Sequence, residues 1–253
     1  MQKKPLRVGF QGEFGAYSEI AAEKIGKPIP FPTFERVFEA VLNKQVDCAV
    51  IPIANAIAGM VKENAELLWR FQKRIKILAE STIPILHCLL GVQGSSIKTA
   101  TEVHSHWQAL AQCQKLFQRH KHLKPVETYD TAGSAKWLAE SGKSTQLVIA
   151  SERAAERYGL HVLKRAINDI KENKTQFYII ASATSRLNLS QENEKSVIIC
   201  KSLQEALPYI PHALRCDAIP TRRKPFEMNY LLEVRGEISD KHVAHLGTFG
   251  NVQ

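Results

Sequence analysis

The chain has 253 residues, 44% of them hydrophobic and 23% charged, an ordinary globular balance that suits one large domain or two modest ones. A formal charge of +9 raises nucleic acid as a partner, but the basic residues are dispersed, with KRIK and TRRK the densest clusters. No zinc-finger, homeodomain or RNP signature accompanies them. Attraction of a small anion explains the same excess. No apolar run approaches the roughly 20 residues that span a bilayer, and MQKKPLRVGF leads from two lysines straight into a strand-like segment. The expectation is therefore a cytoplasmic protein with neither a membrane nor a nucleic acid as partner. Five cysteines, Cys48, Cys88, Cys113, Cys200 and Cys216, are scattered without a CxxC pair, which argues for reduced, mostly buried thiols and against a zinc site or disulfide framework.

Taken in chain order, Lys4 to Phe10 reads as a short buried strand and Glu19 to Ile25 as a helix. Phe34 to Leu42 carries apolar residues at 34, 37, 38, 41 and 42, which is helix spacing. Asp47 to Ile53 is a strand rich in β-branched residues, Asn64 to Phe71 a helix, and Ile75 to Leu90 strand material interrupted at Pro84. Gln108 to Phe117 forms one amphipathic helix. A strand at Val126–Tyr129, a helix at Ala135–Glu140, a strand at Gln146–Ala150, a helix at Glu152–Tyr158 and a strand at Phe177–Ala181 complete the series. The alternation predicts βαβ units in mainly parallel sheets. The polar stretch from Ser182 to Glu194 is the best linker candidate, and a smaller module begins near Lys195.

One device recurs. A strand ends, a loop of small polar residues follows, and a helix begins: at Gly15–Ser18, Ser105–Gln108, Thr131–Ala135 and Ala150–Ser151. Helix starts carry unpaired N–H groups that cap themselves or hold an anion. Several in one α/β chain point to a shared anion cleft between two lobes. The glycines at 9, 12 and 15 do not have dinucleotide spacing, and Walker A, GxSxG and HExxH motifs are missing. His106 is the histidine best placed for chemistry, although a histidine at a helix start is more often structural.

Gln11-Gly12 with Gly15-Ala16-Tyr17-Ser18-Glu19, then Ser105 to Cys113 (SHWQALAQC), then Tyr129 to Ala135 (YDTAGSA), then Ala150-Ser151 with Ala154-Ala155 and Tyr158-Gly159-Leu160, resemble the motifs of the prephenate dehydratase family in their order over residues 6 to about 181. The resemblance implies an α/β protein whose two lobes, similar to periplasmic binding proteins, enclose prephenate or arogenate. It implies prephenate dehydratase activity in phenylalanine biosynthesis, forming phenylpyruvate by coupled loss of carbon dioxide and the ring hydroxyl, with no metal or organic cofactor. Thr175, in Lys174-Thr175-Gln176-Phe177, occupies the place of the family's hydroxyl donor and is the implied catalytic residue. The implied substrate-binding set is Ser18, Asn55, Ser105, His106, Gln108, Thr131, Ala132, Gly133, Ser134, Gln176 and Phe177.

Two motifs depart from the pattern. The family's TRF reads Thr175-Gln176-Phe177, and its Glu-Asn-Ser reads Ala54-Asn55-Ala56. A carboxylate, a guanidinium and a hydroxyl are lost, and the first two can have gone as an ion pair. Three readings stay open: an active dehydratase, a relative that decarboxylates prephenate without aromatising it, and a catalytically impaired ligand-binding or regulatory descendant. Residues 195–253 resemble in part the family's ACT module, a small ferredoxin-like α+β domain. Its GAL motif is reduced to Glu205-Ala206-Leu207, Pro208 and Pro211 interrupt the helix pattern, and the stretch after Gly236 is short for a second helix, a strand and a tail. The expected organisation is a two-lobed domain over 1–185, a linker over 186–194 and an incomplete ACT-like domain over 195–253, in a homodimer or homotetramer.

Overall fold

The structure is a computed structural model that describes residues 4–189, 194–238 and 243–252. The chain begins with β1 (Arg7–Gln11), α1 (Tyr17–Glu23), β2 (Lys27–Phe31), α2 (Phe34–Leu42), β3 (Cys48–Asn55), β4 (Gly59–Met60), α3 (Lys62–Phe71) and β5 (Ile75–Pro84). A second stretch supplies β6 (Cys88–Gly91), β7 (Glu102–Ser105), α4 (Trp107–Ala111), α5 (Gln114–Arg119), β8 (Lys124–Glu127), α6 (Thr131–Ser141), β9 (Gln146–Ala150), α7 (Glu152–Tyr158) and β10 (His161–Lys164). Then come β11 (Lys174–Ser182), β12 (Lys195–Cys200), α8 (Leu203–Ala206), a 3-10 turn at Leu207–His212, β13 (Ala213–Pro220), β14 (Met228–Arg235) and β15 (Ala244–Phe249). Among the described residues no helix is long and apolar enough to cross a membrane.

Two α/β lobes result, each built on its own sheet. The first sheet has the order β2-β1-β3-β11-β5 with β4 beside β3, and the second β10-β6-β9-β7-β8. β1 runs parallel to β2 and β3, and β7 parallel to β8 and β9, as the βαβ rhythm requires. The sheets are nevertheless mixed, not mainly parallel. β11 is antiparallel to β3 and β5, and β6 antiparallel to β9 and β10. β11 enters the first sheet only after the chain has passed through the second lobe, so no crossover helix dictates its direction.

Local sequence explains the best-formed elements. In α2 the Thr33 hydroxyl caps the Arg36 N–H at 3.2 Å, and the apolar stripe buries Val37, Phe38 and Val41. The helix expected over Gln108–Phe117 is instead broken between α4 and α5 at Gln112-Cys113. The Asp169 carboxylate accepts from the Gln114 and Lys115 N–H groups at 2.7 and 3.0 Å, and the Asp169 N–H donates to the Gln112 carbonyl at 2.8 Å. A residue distant in sequence thus caps a new helix start.

The chain crosses between lobes twice, and the crossings lie side by side: the Ile85 N–H donates to the Asn173 carbonyl and the Ile167 N–H to the His87 carbonyl, both at 2.9 Å. The loop after β1 docks on the second lobe as well. The Ser151 hydroxyl donates to the Gly15 carbonyl at 2.5 Å, the Tyr158 hydroxyl to the Phe14 carbonyl at 2.7 Å, and Lys136 meets Glu13 at 3.1 Å. Gly15, at φ +94°, lets the backbones close up, since a Cβ there would stand 2.7 Å from Ala154 Cα.

The third sheet is antiparallel in the order β13-β14-β12-β15. Its fourth strand is formed, although the stretch after Gly236 had read as short; residues 239–242 lie outside the described residues. Pro208 and Pro211 fall in the 3-10 turn that follows the four-residue α8. Alternation gives the sheet two apolar faces. Ile198, Cys200, Leu232 and Val234 pack around Ala206 of α8, while Val197, Ile199, Ile219 and Leu231 share a core with Ile77, Tyr178 and Ile180 of the first lobe. Beyond β15, Glu80 of β5 accepts from the Val252 N–H at 2.9 Å and donates its own N–H to the Gly250 carbonyl at 3.1 Å. In the segment expected as a linker, Leu187 and Leu189 pack on the first-lobe core, and residues 190–193 lie outside the described residues.

Candidate active site

A cavity of about 620 Å³ opens between the two lobes. On its first-lobe side stands Thr175, 8% exposed, opposite Asn55 in the β3–β11 ladder. Asn55 holds the threonine in a defined state. The Asn55 Oδ1 accepts from the Ile57 and Ala58 N–H groups at 3.0 and 2.9 Å, which fixes the amide orientation. Its Nδ2 therefore donates, reaching Thr175 Oγ1 at 3.0 Å and Asn173 Oδ1 at 2.8 Å. Because the threonine oxygen accepts, its hydrogen is free to be donated into the cavity.

The chain of bonds continues to the other lobe. Asn173 Nδ2 donates to Gln112 Oε1 at 2.8 Å, and Gln112 Oε1 also faces His87 Nε2 at 3.1 Å. An oxygen that already accepts from Asn173 requires His87 to carry its hydrogen on Nε2. That leaves Nδ1 to accept from the Tyr17 hydroxyl at 3.4 Å. Burial pushes the His87 pKa down to about 4 against a weaker upward pull from Gln112, so the ring is neutral at pH 7. His106, at the start of α4, accepts from the Gln108 N–H on Nδ1 at 3.3 Å, and burial lowers its pKa despite Asp130 and Glu127. It is both a cap and a lining residue, with Nε2–H available. Burial raises the Asp130 pKa, opposed by the N–H groups of Ala132 and Glu13. Among the described residues lining the cavity, Lys62, at the start of α3, is the only Lys or Arg, and Glu63 and Asp130 are the carboxylates.

Of the residues expected to bind substrate, Ser18, Asn55, His106, Gln108, Thr131 and Phe177 line this cavity together with Thr175. The others do not. The Ser105 hydroxyl is buried and donates to the Ile149 carbonyl at 2.6 Å. Ala132 is buried beneath the first turn of α6, its N–H taken by Asp130 Oδ1 at 3.0 Å, so the helix start read as an anion site is occupied by its own cap. Gly133 and Ser134 line a separate hollow of about 530 Å³ beside His104 and Trp137. Gln176 points the other way, because neighbours on a strand face opposite sides: it meets Glu80 and Glu233 behind the sheet. Its cross-strand partner is Ala54, so the two altered motif positions do stand opposite each other. Gln11, Tyr17, Lys62, His87 and Gln112 line the cavity without having been expected there. Gln11, Tyr17 and Gln112 lie within recognised motifs, but nothing local marks His87 or Lys62.

The family model described as prephenate dehydratase matches residues 8–185. The chain belongs to the prephenate dehydratase family. Arogenate dehydratase 1 of Petunia hybrida is 39% identical over 185 residues, covering 72% of this chain and 43% of that protein. A bifunctional N-acyl-homoserine lactone acylase/prephenate dehydratase of Komagataeibacter europaeus is 34% identical over 184 residues, 71% of this chain and 64% of that protein. Among solved structures, the quorum-quenching acylase GqqA superposes with a TM-score of 0.82 at 26% identity, covering 98% of both chains. The chain thus spans under half of the Petunia dehydratase, about two thirds of the Komagataeibacter protein and nearly all of the GqqA chain. The family match covers both lobes and stops before β12, leaving the third sheet outside it.

Proposed function

We propose that the protein is a dehydratase of prephenate or arogenate, with Thr175 as the catalytic hydroxyl and the third sheet as an ACT-like module. The observation that carries this reading is the Thr175–Asn55 pair in the interlobe cavity, where the amide donates to the threonine oxygen at 3.0 Å and leaves its hydrogen for a leaving group. The chemistry needs little more. The ring carboxylate departs as carbon dioxide, its electrons enter the ring, and the ring hydroxyl leaves as water after taking up one proton. Aromatisation drives the step. Thr175 donates to the departing oxygen as charge grows on it, so the bond strengthens in the transition state. Lys62 supplies a positive charge for one carboxylate, and Nε2–H of His106 a further donor.

The test is turnover of prephenate and arogenate by the purified protein, followed by the appearance of phenylpyruvate or phenylalanine. Aromatic product from the wild type, formed about 10²–10³ times more slowly by Thr175→Ala, supports the reading; no product from either substrate refutes it. A second reading, amide hydrolysis of an acylated homoserine lactone, is favoured by the end-to-end likeness to the acylase structure. Release of a free fatty acid from such a lactone in the same assay distinguishes it.

A further inference from the structure

Thr175 and Gln176 are consecutive, so while the threonine faces the cavity the glutamine faces the third sheet. There its amide is used at both ends. Nε2 donates to Glu80 Oε2 at 2.6 Å and to Glu233 Oε2 at 3.1 Å, and Oε1 accepts from Arg215 Nη1 at 2.8 Å. Two residues on, Tyr178 donates to Glu233 at 2.6 Å and accepts from Arg215 Nη2 at 3.0 Å. Lys195 closes the cluster, 2.6 Å from Glu80 and 2.7 Å from Glu233, and Arg215 stands 2.9 Å from Asp217. These charges are deeply placed: the Glu80 and Glu233 side chains are 7% and 5% exposed. Burial alone would lower the Lys195 pKa and raise that of Glu233, but their mutual bonds outweigh it in both and keep the pair ionised.

The cluster meets the strand at its irregular point. The β3–β11 register shifts between Gln176 and Phe177, whereas the β5–β11 register runs unbroken from Lys174 to Ile179, so just beyond Thr175 the strand is held regularly on one side only. Irregularities of this kind re-aim a side chain, and here the groups behind β11 bond to the residues on either side of the shift. We propose that Arg215 and Glu233 of the third sheet are positioning residues for the cleft: by clamping Gln176 and Tyr178 they hold β11 so that Thr175 presents its hydroxyl to the substrate. The third sheet is then part of the catalytic scaffold, whatever effector it does or does not bind. This inference rests on the dehydratase reading of Thr175.

The test compares three variants of the full chain. Arg215→Met removes both bonds to the strand, and Arg215→Lys keeps the charge with a poorer fork. Leu232→Ala weakens the third sheet from its opposite, α8-facing side. Arg215→Met is expected to lower kcat about tenfold to a hundredfold with KM changed less than about threefold, and to speed amide exchange at residues 174–178. Arg215→Lys should recover part of kcat, and Leu232→Ala should lower Tm while leaving kcat within about twofold. If Arg215→Met does not fold, Glu233→Gln takes its place with the same expectation. Equal kcat in Arg215→Met and Leu232→Ala overturns the proposal. If the wild type turns over neither prephenate nor arogenate, the dehydratase reading has failed on its own, and exchange decides the clamp: unchanged exchange at 174–178 in Arg215→Met overturns it.

Discussion

Replacing Thr175 by alanine separates chemistry from folding unusually well in this cavity. Asn55 Nδ2 has two hydrogens and three acceptors within reach: Asn173 Oδ1 at 2.8 Å, Thr175 Oγ1 at 3.0 Å and the Lys174 carbonyl at 3.2 Å. Loss of the threonine oxygen leaves two acceptors for two hydrogens, so no buried donor is stranded, and the stability cost stays near the ordinary ~1 kcal/mol of one hydrogen bond. Loss of the donor to the leaving oxygen, in contrast, should reduce kcat by about 10²–10³, or roughly 2.7–4 kcal/mol of transition-state stabilisation. KM should change little, because the bond forms mainly as the ring hydroxyl departs. Thr175→Ser should retain much of the rate, since the hydroxyl stays and only a methyl contact is lost. The assay is steady-state formation of phenylpyruvate from prephenate alongside thermal melting of each variant. A Thr175→Ala protein with wild-type kcat would refute the role assigned to the hydroxyl, and a large loss of Tm would refute the hydrogen-bond count.

Three further outcomes are expected. His87 is held near pKa 4 by burial, whereas the unfolded chain takes up a proton near 6.5, so stability is intact above about pH 6.5, falls as the pH drops through that window and levels off near 4. The difference is about 3 kcal/mol, and His87→Gln should flatten the dependence in melts between pH 7 and 4; an unchanged slope would contradict the burial argument. Gly15→Ala should lower Tm and weaken substrate binding together, because its Cβ would press within 2.7 Å of Ala154 Cα at φ +94°; wild-type melting and KM would show that this lobe contact is not tight. Calorimetric titration with phenylalanine should show no sub-millimolar site on the third sheet, where Glu205-Ala206-Leu207 replaces the glycine-bearing motif and Ala206 is fully buried. A clear binding isotherm would overturn that expectation.

What could be read from sequence was whatever is decided locally. The apolar stripe of Phe34–Leu42 and the buried run Gln146–Ala150 coincide with α2 and β9, since each element's pattern matches the face or faces it buries. β2 escaped notice because Lys27–Phe31 carries Pro28 and Pro30, which only an edge strand tolerates. The break between α4 and α5 depends on Asp169, reached only through the fold. The site divides in the same way. Motif order brought Ser18, Asn55, His106, Gln108, Thr131 and Thr175 to one cavity, but motif membership cannot say which side of a strand a residue faces. Gln176, one step from Thr175, therefore belongs to the back of the sheet. Ser105 serves the carbonyl of Ile149. The bonds through Asn173, Gln112 and His87 join residues up to 118 positions from Asn55, a separation no local pattern carries.

Aromatisation of a substrate in this cleft can be followed through the fate of a labelled carboxylate. Prephenate bearing ¹³C in its ring carboxyl should release labelled carbon dioxide and unlabelled phenylpyruvate in equal amounts when incubated with the purified protein. Arogenate labelled in the same carboxyl should give labelled carbon dioxide and unlabelled phenylalanine if it is the substrate instead; labelled carbon dioxide with a non-aromatic co-product, or retention of the label by both compounds, would contradict aromatisation.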